Sequence, residues 1–414
     1  MRKSRGVSSK RVLDSIHFEE DYPLQGTTLD VSLQQVMSYS SKKRTRYIHS
    51  LLAAFHKAIK QDHMWVKTHV PFKREMRDLR KLLHTPADQY LRVDDKTLKR
   101  NILSRGGPGS THTYWSRTNM WKMKTKGGDL VEEIADRGSS LVTSLKRFFN
   151  PAVTSMELLR NYRDSAVINV LAYFKFDKGV GTAFPPFHAK YFADKYLPRD
   201  GDGIVVDPCA GWGGRMLGTL CVNRPGHVRY YGVDPERRNQ VAYKGLMRRL
   251  NHYLKRELSG KRTGRVFIAP FEDWIQSKFA LKLRRQVDLV ITSPPYFSAE
   301  HYNPTNKKQS ANRYQTYATW REQFYRPLMK GAMELLKPGG VFVLNIADVA
   351  EARHLEKDAR VLAREVGFVN GGFYKMALSM LPHMRHQTKI RHKTWVNGKL
   401  FKHEPVFVFQ RPLT

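Results

Sequence analysis

From residue 164 onward, short apolar runs rich in β-branched residues alternate with longer amphipathic stretches. No other feature constrains the fold of this chain as strongly. The strand-like runs are GIVVDP (203–208), HVRYYGVDP (227–235), GRVFIAP (264–270), VDLVITSPP (287–295), GGVFVLNIAD (339–348), GGFYKMALSM (371–380) and HEPVFVFQ (403–410). Helix-like stretches such as ERRNQVAYKGLMRRLNHYL and ARHLEKDARVLAREVG lie between them. Alternation of this kind predicts an α/β fold, a parallel sheet with helices on both faces. In such sheets ligands bind beyond the carboxyl ends of the strands.

Residues 1–160 read differently and are expected to form a basic, mostly helical N-terminal domain, with 161–414 forming the α/β domain. RYIHSLLAAFHKAIKQ (46–61), FKREMRDLRKLLH (72–84), SLVTSLKRFF (140–149) and SMELLRNYR (155–163) carry apolar residues at helical spacing. Two cysteines, Cys209 and Cys221, cannot make a disulfide framework and fit a reducing, cytoplasmic setting. No apolar run approaches the roughly 20 residues that span a bilayer, and no Cys/His cluster has metal-ligand spacing, so neither a membrane nor a metal is expected. The formal net charge is +35. Self-repulsion on that scale works against folding, and a polyanionic partner, nucleic acid first, is its usual reason.

Two places carry chemistry. DPCAGWGGR (207–215) follows the first strand and opens a helix. The small residues of Asp207, Pro208, Cys209, Ala210, Gly211 and Gly213 let a ligand approach the backbone closely. The spacing is not G-x-G-x-x-G, and no P-loop lysine follows, so neither a dinucleotide fingerprint nor a phosphate loop is present. Asp234, with Pro235 behind it, follows the second strand and is placed to accept both hydroxyls of a ribose. Glu272 and Asp273 follow the third strand, where an acid can accept from an adenine amino group.

The second place is Ser293-Pro294-Pro295-Tyr296 after the fourth strand. Two prolines end the strand and fix a rigid turn. The corner presents a hydroxyl, a carbonyl and an aromatic ring, enough to hold a planar amine by two acceptors and a stacking face. Phe297 offers a further wall. Pro208-Cys209 would suit carbon-5 cytosine chemistry only if it followed the fourth strand, and it follows the first.

With these motifs in this order, the chain resembles the class I, Rossmann-like S-adenosylmethionine-dependent methyltransferases that modify exocyclic amines of DNA. In that family D-P-x-x-G-x-G precedes [DSN]-P-P-[YFW], here DPCAGWGG and SPPY. TAFPPFHAKYFADKYL (182–197) is similar to the segment that closes the family's cofactor pocket, which implicates Thr182, Phe184 and Pro185. The resemblance covers about 175–414 and implies a seven-stranded mixed sheet whose last strand is an antiparallel edge. It implies S-adenosylmethionine as cofactor and in-line transfer to adenine N6 or cytosine N4 of a flipped base. SPPYFSAEHYNPTNKKQS with the later YATW also resembles bacteriophage-encoded methylases. RNA base methylation and a catalytically idle nucleic-acid-binding subunit are the rival expectations.

Nucleic-acid contacts are expected from the connection between the sixth and seventh strands. If the seventh runs antiparallel, that connection lies at the active face. It carries Arg385, Lys389, Arg391 and Lys393 with Trp395, a basic arm with one aromatic. Gln309 and Ser310, after the fourth strand, are expected to read the base or its neighbours. Lys and Arg outnumber Asp and Glu about two to one in residues 1–160 as in the whole chain, so charge does not locate recognition. DNA, duplex or single-stranded, is the expected partner; the sequence sets no oligomeric state.

Overall fold

The computed structural model describes residues 31–60, 72–104, 106–109, 124–125, 146, 149–150, 152, 183–253, 257–380 and 392–414. These fall into two compact units. One holds residues 31–60 with those between 146 and 152. Its helices are Leu33–Met37 and Ser41–Lys60, and Tyr47 packs edge-on against Tyr39 and Phe149. The helix expected at 46–61 is therefore present and starts earlier, whereas 155–163 and most of 140–149 lie outside the described residues.

The other unit is built on a sheet of ten strands. Its main strands are β1 (Gly203–Asp207), β2 (Val228–Val233), β3 (Arg262–Phe267), β4 (Val287–Thr292), β5 (Leu336–Asn345), β6 (Val369–Met380) and β7 (Lys399–Gln410). All seven runs read as strands from sequence are strands. Their order is β6-β7-β5-β4-β1-β2-β3. β7 is antiparallel to both β5 and β6, so β6 runs parallel to the rest. The expected antiparallel direction holds, but β7 is not an edge. It is inserted between two strands, and its apolar VFVF run is buried on that account.

The sheet is wider than seven strands because an upstream segment completes it. Leu91–Arg92 pairs with Ile102–Leu103, which pairs in parallel with β6. A hairpin strand, Lys393–Val396, pairs with the start of β7. Residues 72–109, assigned from sequence to the N-terminal domain, instead pack with the sheet. Helix α1 (Phe72–His84) begins this segment, and helix α2 (Pro186–Tyr196) receives it. The Lys190 ammonium of α2 donates to the carbonyls of Leu82, Leu83 and Thr85 at 2.7, 2.6 and 2.8 Å. Those are carbonyls that a helix end leaves without intrahelical partners. Burial pulls the Lys190 pKa below its ordinary value.

Period-two alternation distributes the strands' side chains between two cores. Val205, Leu289, Ile291 and Val343 enter one layer with Leu217 and Leu220 of helix α3 (Gly214–Leu220). Val206, Val290, Phe342 and Leu344 enter the other with Trp320 and Leu328. No helix among the described residues is long and apolar enough to cross a membrane.

α3 can approach α2 because position 218 has no side chain. A Cβ there would stand 1.9 Å from the Pro186 carbonyl oxygen, a backbone atom that cannot step aside. Gly218→Ala is expected to destabilise the fold by about 1–3 kcal/mol, the usual cost of overpacking a core. Chemical denaturation measures it, and an unchanged midpoint would refute the contact.

Candidate active site

Three parallel strands end side by side, and their last residues build the site. Asp207, the last residue of β1, is fully buried. Its carboxylate accepts from Arg215 Nε at 2.8 Å, Tyr230 Oη at 2.7 Å, Thr292 Oγ1 at 3.0 Å and the Cys209 amide at 3.1 Å. These donors come from α3, β2, β4 and the turn after β1. Asp207 does not line the cavity. Its role is to fix the turn that does.

That turn, Pro208–Gly213, relies on glycine. Gly211 and Gly213 adopt φ of +56° and +85°, a left-handed backbone that side chains disfavour. The Gly211 amide donates to Asp234 Oδ2 at 2.8 Å. The Gly211 carbonyl accepts from Tyr243 Oη at 2.5 Å and Asn239 Nδ2 at 3.2 Å. Asp234 Oδ1 accepts from the Glu236 amide at 2.8 Å. Burial, offset in part by those backbone donors, lifts the Asp234 carboxyl to about 7.

A cavity of about 270 Å³ opens above these strand ends. Its lining includes the expected Phe184, Pro185, Pro208, Cys209, Ala210, Gly211, Asp234, Pro235 and Glu272. Thr182 lies outside the described residues. Gly213 caps α3 rather than lining the cavity, and Asp273 does not line it either. Asp273 is exposed and pairs with Arg313 at 3.0 Å. Glu272 accepts from Tyr314 Oη at 2.8 Å through Oε1, while its Oε2 is buried without a partner. Burial raises its pKa. The Cys209 thiol is pushed up by burial as well, which disfavours the thiolate a nucleophile would need.

The Ser-Pro-Pro-Tyr corner opens into the same cavity through Ser293, Pro295 and Tyr296. Pro294 is buried beneath it, and among the described residues no donor reaches its carbonyl. Strand register sets the surroundings of Ser293. Thr292 pairs with Leu344, and Asn345 pairs with Val406, so Ser293, Asn345 and Glu404 converge. Ser293 Oγ donates to Asn345 Oδ1 at 3.1 Å, and Asn345 Nδ2 donates to the Pro405 carbonyl at 3.1 Å. Glu404 Oε2 accepts from Tyr296 Oη at 3.2 Å. Burial raises the Glu404 pKa.

Other expected residues are placed elsewhere. Phe297, at φ +54°, turns into the core and packs edge-on against Tyr317 and Trp320; it does not wall the cavity. Gln309 lines the cavity but is buried. Its amide donates to Glu236 Oε2 at 3.3 Å and accepts from the Asn303 amide at 3.1 Å. Ser310 is also buried, with an unpartnered Oγ. Both therefore sit in the cavity wall and not on a surface. Lys393 and Trp395 lie on the hairpin, where Trp395 is 36% exposed. Arg385, Lys389 and Arg391 lie outside the described residues.

Sequence reading missed Glu236, Asn345 and Glu404. Glu236 is buried, lines the cavity, and accepts from Arg238 at 2.8 Å and Asn303 at 2.9 Å. Thereby it draws the 302–313 loop over the end of β2. The available signal was a polar residue closing an apolar strand, Asn345 in FVLN, and an acid opening one, Glu404 in HEPVF.

The chain is similar to several known proteins. Residues 287–397 match the family model described as DNA methylase, of the N6-adenine and N4-cytosine type. No curated protein matches the chain. Similar solved structures include an S-adenosylmethionine-dependent O-methyltransferase from Thermotoga maritima, 10% identical, covering 56% of this chain and 67% of that one, TM-score 0.33. Another is an S-adenosylmethionine-dependent methyltransferase from Methanosarcina mazei, 12% identical, covering 54% and 98%, TM-score 0.33.

The Asp207 cluster predicts a stability effect. Asp207→Asn leaves the Arg215 guanidinium buried without its counter-charge. Breaking one side of a buried pair costs about 3–5 kcal/mol. Denaturant titration should show that loss, and a change under about 1 kcal/mol, the scale of an exposed pair, would contradict the role assigned to the carboxylate.

Proposed function

We propose that this protein transfers a methyl group from S-adenosylmethionine to an exocyclic amine of a nucleic-acid base, adenine N6 or cytosine N4, with DNA as substrate class. One observation carries the reading. The acceptor-rich Ser293 corner and the Gly211–Asp234 cradle open into one cavity. The DNA methylase match over 287–397 supports the same class.

The lining residues fit the cofactor. Asp234, held by two backbone amides, would accept from ribose hydroxyls. The unpartnered Glu272 Oε2 would accept from the adenine amino group. Phe184, Pro185 and the glycine turn would cover its apolar faces. When bound, S-adenosylmethionine would supply a methyl group on a sulfonium: the amine's lone pair would form the N–C bond as the C–S pair returns to sulfur, and the extra N–H proton would pass to solvent.

The protein's own contribution is positioning. Ser293 Oγ and the Pro294 carbonyl accept the two N–H groups of the amine. That draws the nitrogen away from planarity and frees a lone pair otherwise conjugated into the ring. Tyr296 stacks on the base. A duplex base reaches this corner only by flipping, at a cost of a few kcal/mol. Basic side chains outside the cavity, including Lys393 on the hairpin, would bind phosphates, and Trp395 would stack beside the vacated position. The basic N-terminal region would add contacts of the same sequence-independent kind.

The test is direct. The protein is incubated with methyl-tritiated S-adenosylmethionine and duplex DNA, single-stranded DNA or RNA, and the methylated nucleoside is identified by mass spectrometry. N6-methyladenine or N4-methylcytosine from DNA is expected; no label in any polymer would overturn the reading, and label in RNA alone would change the substrate class. Ser293→Ala and Tyr296→Ala should each lower turnover at least about tenfold, the worth of one good positioning contact, with cofactor binding retained.

The raised pKa of Asp234 gives two opposed pH trends. In the free protein, folding favours the protonated carboxyl, so its stabilising contribution is present at low pH and lost as pH rises through about 7. Ribose hydroxyls need the ionised form, so affinity for S-adenosylhomocysteine should rise over the same range. Titration calorimetry carried out on either side of that pH should show this rise, absent in Asp234→Asn. A flat profile in the native protein would remove Asp234 from the cofactor site.

A further inference from the structure

A serine hydroxyl can donate or accept, and a corner built to hold an amine must present it as an acceptor. We infer that Asn345 is the positioning residue that imposes this polarity on Ser293 and so selects N–H donors over carbonyl acceptors at the transfer site. The inference rests on the reading of Ser293 as the amine's partner.

Hydrogen-bonding capacity alone fixes the direction. Asn345 is 2% exposed, so its amide must be satisfied within the protein. On one side stands the Pro405 carbonyl, 3.1 Å away, which can only accept. Glu404 Oε2, at 3.5 Å on that same side, is an acceptor when ionised. The Asn345 NH₂ group therefore faces β7, and its oxygen faces Ser293. An amide oxygen cannot donate, so at 3.1 Å the Ser293 hydroxyl must. Its proton is committed to the wall, and only lone pairs remain for the cavity. A carbonyl in the amine's place would meet lone pair against lone pair. The amine of adenine or cytosine meets an acceptor.

Glu404 extends the bracket. Its Oε2 also accepts from Tyr296 Oη at 3.2 Å. One carboxylate on β7 thus backs both the residue that orients Ser293 and the ring expected to stack on the base.

Because Asn345 acts through Ser293, a double-mutant cycle on the single-turnover transfer rate tests it. Native protein, Ser293→Ala, Asn345→Leu and the double variant are compared, with S-adenosylhomocysteine affinity as the check on folding. Asn345→Leu should slow transfer roughly tenfold, the order expected for losing one oriented hydrogen bond. In the Ser293→Ala background it should cost nothing more. Losses that multiply would overturn the inference while leaving the methyltransferase reading intact. No transfer by the native protein would overturn both.

Should Asn345→Leu fail to bind the cofactor analogue, Asn345→Asp serves instead. When protonated, the introduced acid donates to the Pro405 carbonyl and its other oxygen accepts from Ser293, as the amide does. When ionised, it sets an oxygen against that carbonyl and against Glu404 and loses the bond that aims it at Ser293. Glu404 and Tyr296 are the titratable groups that face it. The ratio of variant to native rate should fall as pH rises and the new carboxyl loses its proton, and a flat ratio would overturn the inference.

Discussion

The buried carboxylate of Asp207 is the interaction on which the site depends. Four donors meet on its two oxygens, from the turn after β1, from α3, from β2 and from β4. An ion pair removed from water gains its net benefit only when its remaining hydrogen-bonding capacity is filled. Here it is filled by groups whose positions define the glycine turn on one side and the approach to Ser293 on the other. The two halves of the cavity are thus held in register through a group that lines neither.

The strands are legible in the sequence because their chemistry is local. Apolar β-branched runs such as VDLVIT are punctuated by proline and glycine, and all seven appear where expected. The glycine turn and the proline corner are legible for the same reason: each requires a backbone that few residues adopt. What local chemistry cannot carry is partnership across the chain. Asn345 and Glu404 look like ordinary strand-end polar residues until register brings them to Ser293. Gln309 and Phe297 look accessible because they lie in or beside a polar loop. The Glu236 carboxylate and a left-handed backbone turn them inward instead. The segment 72–109 looks separate because it is polar and basic, yet its helix is docked by Lys190 at its end, by Arg249 and Glu257 along its side, and by Leu79 and Leu82 in the core.

The electrostatics of the chain divide by depth. Its surface belongs to a protein of net charge +35, whereas the cavity lining holds four acids, Asp234, Glu236, Glu272 and Glu404, beside Arg215 and Lys308. A polyanion is drawn to the outside over a distance set by salt. Inside, carboxylates repel phosphate and welcome hydroxyls, amines and positive charge.

The sheet also has a consequence for how the molecule is made. Ile102 and Leu103 pair with Lys375 and Met376 of β6. Asp95, in the loop before them, holds the amides of Asn397 and Gly398 in the turn of the hairpin at 3.2 and 3.0 Å. These partners are separated by most of the polypeptide. Contacts of such high sequence separation close late, because loop entropy must be overcome before they form. A chain leaving the ribosome can lay down the strands around Asp207 early, but its hairpin waits for both ends of the sequence. A product that ends after Thr292 but before Lys393 would then carry the glycine turn and its aspartates without the hairpin of Lys393 and Trp395.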